Sequence, residues 1–200
     1  MKNEYKIKWA IIGLCIVFCF NLFADQEVSH GPLKELRYLL VQFTAGKEND
    51  LKGKLDSLEG PVQKALSKSP DSEYYLLLGR AFFYTEQDSK AEAAFTASIK
   101  HDPQQSDSHF FLGLIDNYAK NIKDAEVHFR DAIDADDSHA EYYYELGGVL
   151  DKADRADEAL KNFLKSIDLN PDDFRAKFKA GNIYIERGSV DEARDCYLAV

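Results

Sequence analysis

Cysteine, proline and glycine are all scarce in this 200-residue chain, at 3, 5 and 11 residues, and it has one tryptophan and one methionine. Two of the three cysteines, Cys15 and Cys19, lie in an apolar N-terminal stretch, so a disulfide scaffold is excluded. So little glycine and proline excludes a low-complexity or collagen-like chain, and 12% aromatic content argues against disorder. Positive charge is in short supply too: 25 Lys and Arg stand against 35 Asp and Glu, for a net charge of -10. A chain of that sign does not bind the phosphate backbone unspecifically, and no nucleic-acid partner is expected. Long apolar runs are also lacking. The longest, residues 9–20, falls short of the roughly 20 residues that span a bilayer comfortably.

That run is nevertheless informative. Lys2, Lys6 and Lys8 precede it, and Asn21, Leu22, Phe23 and Ala24 come directly after it. A basic stretch, an apolar stretch and a small residue make a secretory signal, with cleavage expected between Ala24 and Asp25. Leu22 is bulky for that junction, so an uncleaved membrane anchor over residues 9–24 stays open as the alternative. Bulky Leu14 and Phe18 stand directly before Cys15 and Cys19, which argues against a lipidated N-terminus. The expectation is an exported protein, periplasmic or secreted, that meets a membrane only if residues 1–24 remain.

A period of 34 residues organises the C-terminal two-thirds of the chain. Gly79, Gly113, Gly147 and Gly181 recur at that step, as do Ala91, Ala125, Ala159 and Ala193, and Phe95, Phe129, Phe163 and Tyr197. Within a copy, Tyr75, Leu78, Gly79 and Phe82 share one helical face, and Ala91, Ala94, Phe95 and Ser98 share another. Each copy is therefore a pair of short amphipathic helices. A mid-helix glycine costs about 1 kcal/mol relative to alanine. Its recurrence points to close helix approach, with Ala91 opposite Gly79 and Phe95 filling the adjacent gap. Ser89, Ser138 and Ser189, each succeeded three residues later by Glu, predict capping boxes at helix starts. Pro103 and Pro171 are predicted just beyond second-helix ends.

With these residues in place, the chain resembles the tetratricopeptide repeat (TPR) family, whose signature is W-x2-L-G-x2-Y, A-x3-F and P. The first copy has Tyr75-x2-Leu78-Gly79-x2-Phe82, Ala91-x3-Phe95 and Pro103, and the third has Tyr143-x2-Leu146-Gly147-x2-Leu150, Ala159-x3-Phe163 and Pro171. The second departs with His109, Asp116 and Asp137, and the fourth with Lys177 and Ala180. The resemblance implies an all-α, right-handed superhelical solenoid over residues 72–200, in copies 72–105, 106–139, 140–173 and an incomplete 174–200. Residues 25–70 do not fit the period and are expected to form an N-terminal helical cap. In that cap Gly60-Pro61 is predicted to end one helix and start another.

In such a fold the first helices line a concave groove, and the stripe displaced from the core face is available to a ligand. Those residues are Glu73, Leu76, Arg80 and Phe83, then Asp107, Phe110, Leu114 and Asn117. They continue with Glu141, Tyr144 and Asp151, then Arg175, Phe178, Asn182 and Ile185. Leu76, Phe110, Tyr144 and Phe178 form an apolar column, with packing between helices as the competing role for Phe110 and Tyr144. Lys, Asn and Arg clamp a terminal carboxylate in chaperone-binding members of the family. The acids here fit better a protein or peptide segment with apolar anchors and some positive charge.

Catalysis finds no foothold. His101, His109, His128, His139 and His30 are scattered with no i, i+4 pair, so neither a metal site nor a cofactor is expected. Asp131, Asp134, Asp136 and Asp137 miss the glycine and glutamate of a calcium loop. Cys196 lacks the basic surroundings of a reactive thiol. The expected function is a non-enzymatic interaction adaptor or assembly factor outside the cytoplasm. Two alternatives stay open: an array that self-associates into a homo-oligomer through its C-terminal end, and a regulatory region of a longer protein.

Overall fold

The computed structural model describes residues 31–198; the expected signal or anchor segment lies outside the described residues. Among the described residues there are ten helices and no strand. They fall into two compact units, one ending at Pro103 and the other beginning at Gln104.

The first unit holds α1 (Pro32–Thr44), α2 (Leu51–Lys68), α3 (Ser72–Tyr84) and α4 (Asp88–His101). Leu36, Leu39 and Leu40 of α1 and Leu51, Leu55, Leu58, Val62 and Leu66 of α2 are buried, each set a helical stripe. The predicted break at Gly60-Pro61 does not occur, and α2 runs through both residues. Pro61 cannot donate to the Ser57 carbonyl, but both residues are exposed, so what the ring leaves free is open to solvent. The buried stripe on the opposite face, with leucines before the proline and Val62 and Leu66 after it, holds the helix together.

The second unit holds α5 (Ser106–Ala119), α6 (Ile122–Ala135), α7 (Ala140–Lys152), α8 (Ala156–Leu169), α9 (Phe174–Glu186) and α10 (Val190–Leu198). Here, as in α3 and α4, each glycine of the 34-residue series lies under an aromatic ring of its partner helix. A Cβ added at Gly79 would meet the Phe95 ring at 2.6 Å, and one at Gly147 would meet Phe163 at 2.8 Å. The same holds for Gly113 under Phe129 at 2.7 Å and Gly181 under Tyr197 at 2.5 Å. The group opposite the glycine is thus the aromatic side chain itself rather than the alanine. Phe95, Phe129 and Phe163 are wholly buried, which offsets the cost of the glycine.

The turns inside each pair carry a second signature of the same period. Glu86, Lys120, Asp154 and Gly188 all have positive φ, between 58° and 75°. In each, two backbone bonds close the first helix: 120→117 and 121→116 in one copy, 154→151 and 155→150 in the next. This is a left-handed helix-ending motif. The α1–α2 turn closes identically at Gly46 (φ 69°), with bonds 46→43 and 47→42. The segment before the array is therefore turned like a repeat even though its sequence does not match one.

The capping boxes at Ser89 and Ser138 do not form. The α4 helix starts at Asp88 after Gln87, and the α7 helix starts at Ala140 after His139, neither with a side-chain cap. Ser138 instead donates its hydroxyl to Asp136. The side-chain caps that do form among α1 to α9 are aspartates: Asp50 accepts from the Gly53 amide, Asp71 from Tyr74 and Asp173 from Arg175. Pro103 and Pro171 do stand beyond second-helix ends, two residues after His101 and Leu169.

Candidate functional site

The first-helix face divides into a part used for packing and a part left open. Leu76 (6% exposed), Phe83 (0%), Phe110 (4%) and Leu114 (1%) are buried, so these four expected groove residues are core. The reason is geometric: a stripe one position round the helix from the core face still meets the neighbouring helix. Phe110 packs on Tyr142 at 4.9 Å and on Phe129 at 5.8 Å between ring centroids. Asp107 is engaged as well, accepting a 2.8 Å hydrogen bond from the Tyr142 hydroxyl. In the first unit, Arg80 is half-buried, and exposed Glu73 is paired with Arg37 at 2.6 Å.

The open part lies on α7 and α9. Phe178 and Ile185 are 55% and 50% exposed, and Tyr144 is half-buried. The Arg175 guanidinium lies 4.6 Å from the Tyr144 ring centroid and donates to Glu141 at 2.9 Å and to Asp173 at 2.7 Å. Asp173, which caps α9, thus also orients the arginine that reaches 34 residues back to Glu141. Asn182 accepts from the Tyr197 hydroxyl at 2.8 Å, Asp151 pairs with Lys179 at 3.3 Å, and Asn117 accepts from Lys152 at 2.7 Å.

At the centre sit two carboxyls one helical turn apart. Burial raises Glu141 above its ordinary range against the opposing pull of Arg175, and its Oε1 is buried without a hydrogen-bond partner. Glu145 is 8% exposed and is pushed up to about 7, by burial first and then by the charge of Glu141. Its protein partner is a long 3.5 Å contact from Asn117. Sequence reasoning missed Glu145 because it lies outside the displaced stripe. Its register offered a signal: Leu77, Phe111, Glu145 and Lys179 are 34 apart, and the apolar pattern breaks there.

Two clefts lie elsewhere. One of about 720 Å³ is lined by Arg130, Tyr143, Glu158, Lys161 and Lys165 among others, and one of about 420 Å³ by Tyr75, Phe82, Lys90 and Ala94 among others. Neither contains a residue of the expected groove. Cys196 is half-buried and its thiol is raised by burial, as suits an unreactive cysteine.

The sequence pattern of the tetratricopeptide repeat matches residues 118–166 and 150–200. Solved structures agree over more of the chain. A crystal structure of MamA has TM-score 0.67 at 24% identity, covering 77% of this chain and 91% of its own. YrrB, described as a TPR protein with an unusual peptide-binding site, has TM-score 0.64 at 23% identity, covering 69% and 72%. The pilF protein of Pseudomonas aeruginosa has TM-score 0.69 at 18% identity, covering 84% and 74%. No curated protein sequence gives a significant match. Residues 118–200 belong to the tetratricopeptide repeat family, and the fold over the larger part of the chain is that of TPR proteins.

Proposed function

We propose that this chain is a non-catalytic interaction adaptor, holding a partner segment against α7 and α9 with a basic side chain directed at Glu141 and Glu145. The observation that carries this is the carboxyl pair itself. Two acids share one turn of α7, one with an unpartnered buried oxygen and the other raised to about 7. Keeping both there costs stability, and the positive charge of a partner's lysine or arginine brought to this face would offset that cost. Exposed Phe178 and Ile185 supply apolar anchors on α9, the helix whose Arg175 reaches Glu141. The peptide-binding site named for YrrB lends support to a peptide as the kind of ligand a TPR fold holds.

An array of immobilised peptides tests this. Peptides pairing Lys or Arg with an aromatic residue are expected to bind the wild-type chain, and to bind at least ~10-fold more weakly to Glu141→Gln and Phe178→Ala. Glu92→Ala, on the exposed side of α4, should bind as wild type. Equal binding by all three variants would remove the site from this face.

We also place the protein outside the cytoplasm. This rests on Lys2, Lys6 and Lys8 before an apolar run that closes at Ala24.

A further inference from the structure

The second copy breaks the repeat at four registers, and all four breaks meet in space. Register by register, the first copy has Tyr75, Phe82, Ala94 and Ala97, residues that line an apolar cleft. The third copy has Tyr143, Leu150, Asn162 and Lys165. The second copy has His109, Asp116, His128 and Asp131. Every one of these is a residue type that ligates metals, and no other copy has more than one such residue at these registers.

The helix pair α5–α6 brings them together. One ligand atom from each of His109, His128 and Asp131 lies within 4.8 Å of the other two. His109 Nδ1 stands 3.7 Å from Asp131 Oδ2, and the His109 side chain is only 12% exposed. A tetrahedral zinc site with bonds of about 2.0–2.1 Å separates neighbouring ligand atoms by roughly 3.3 Å, so small side-chain rotations close the gap. His128 Nε2 faces Asp116 Oδ2 at 3.7 Å, while His128 Nδ1 is buried and takes no hydrogen bond. Asp116 is itself held by the Asn121 side-chain amide at 3.2 Å. With Nε2 turned toward Asp116, Nδ1 is the nitrogen left for a metal, and Asp116 stands where a carboxylate supports a metal-bound histidine once the 3.7 Å gap closes.

We propose that His109, His128 and Asp131 form a binding site for a divalent transition metal of the zinc class, with Asp116 orienting His128. Two imidazoles and one carboxylate suit zinc and its first-row neighbours and are a poor match to calcium or magnesium. Three protein ligands leave one position open for water or an external ligand. The site is independent of the α7–α9 face and stands whether or not a peptide binds there.

The untagged full chain, stripped with a chelator, is titrated with zinc chloride by calorimetry, and its thermal midpoint is monitored in parallel. One equivalent is expected to bind, raising the midpoint by about 5–10 °C at a hundredfold excess over the dissociation constant. His109→Tyr and His128→Asn put in the residues that the third copy carries at those registers, so the fold accommodates them. Each should abolish binding while circular dichroism stays helical. Asp116→Asn should weaken it ~10- to 100-fold. His139→Asn, at the exposed His139–Asp136 pair, should leave binding unchanged. Zinc binding that survives the His109→Tyr/His128→Asn double variant, binding lost only in His139→Asn, or no binding by the folded wild-type chain would each overturn the site.

Discussion

Glu145 shows how one residue can set a pH dependence. Its carboxyl ordinarily titrates near 4.5 and is raised to about 7 in the folded chain, so between those values the native state holds the extra proton. Stability from this group is therefore full below about 4.5 and is lost as pH rises through 7. The shift corresponds to a penalty on the order of 3 kcal/mol at pH 8. Glu145→Gln should raise the thermal midpoint by about 5–10 °C at pH 8 and change it little at pH 4.5, as read by circular dichroism melts. An equal effect at both pH values would show that the carboxyl carries no such penalty. The same residue marks a limit of pattern reading. A buried acid among apolar neighbours is visible as a break in register, but its raised titration comes first from burial and then from the charge of Glu141. Serines make the same point. Ser98 exchanges hydrogen bonds with Ser72, whereas Ser166 at the same register has Ala140 at the position equivalent to Ser72, and its buried hydroxyl has no partner.

Turns and helix contacts belong to the next scale. Lys120 occupies a left-handed position where Gly188 stands in the last copy and Gly46 in the pair before the array. A side chain there costs about 1 kcal/mol that glycine avoids. Lys120→Gly should therefore raise the thermal midpoint by about 2–4 °C, since Lys120 is exposed and its turn bonds are backbone only. A lower midpoint would mean that the entropy added to the unfolded chain wins. Helix existence and pairing were legible from the 34-residue step because glycine, alanine and an aromatic ring must recur wherever two helices approach closely. Helix starts were not. A serine with a glutamate three residues on satisfies the pattern at Ser89 and Ser138, yet the backbone enters one helix two residues before Ser89 could cap it and the other one residue after Ser138 could. Gly60-Pro61 misled for a related reason. Local breakers predict a stop, and a buried stripe on both sides of them overrides it.

At the scale of the whole molecule, acidity and the N-terminal pattern make the most general claim. If residues 1–24 direct export and are removed, the intact mass of protein recovered from the producing cell should begin at Asp25. A full-length mass in the membrane fraction would favour the anchor instead. The sequence by itself determined that this is an all-α chain of helix pairs repeating every 34 residues, because helix faces and close contacts depend on spacings of three, four and 34 residues. It also supplied the set of first-helix positions, but not which of them are open. Only the tertiary structure decided that Leu76, Phe83, Phe110 and Leu114 are core while Phe178 and Ile185 face solvent. Only it brought Arg175 to Glu141 across 34 residues, and His109 to His128 and Asp131 across 19 and 22. Periodicity fixes what each helix shows along its own length. The meeting of side chains from different helices depends on how those helices pack, and no i, i+4 rule along one helix contains that.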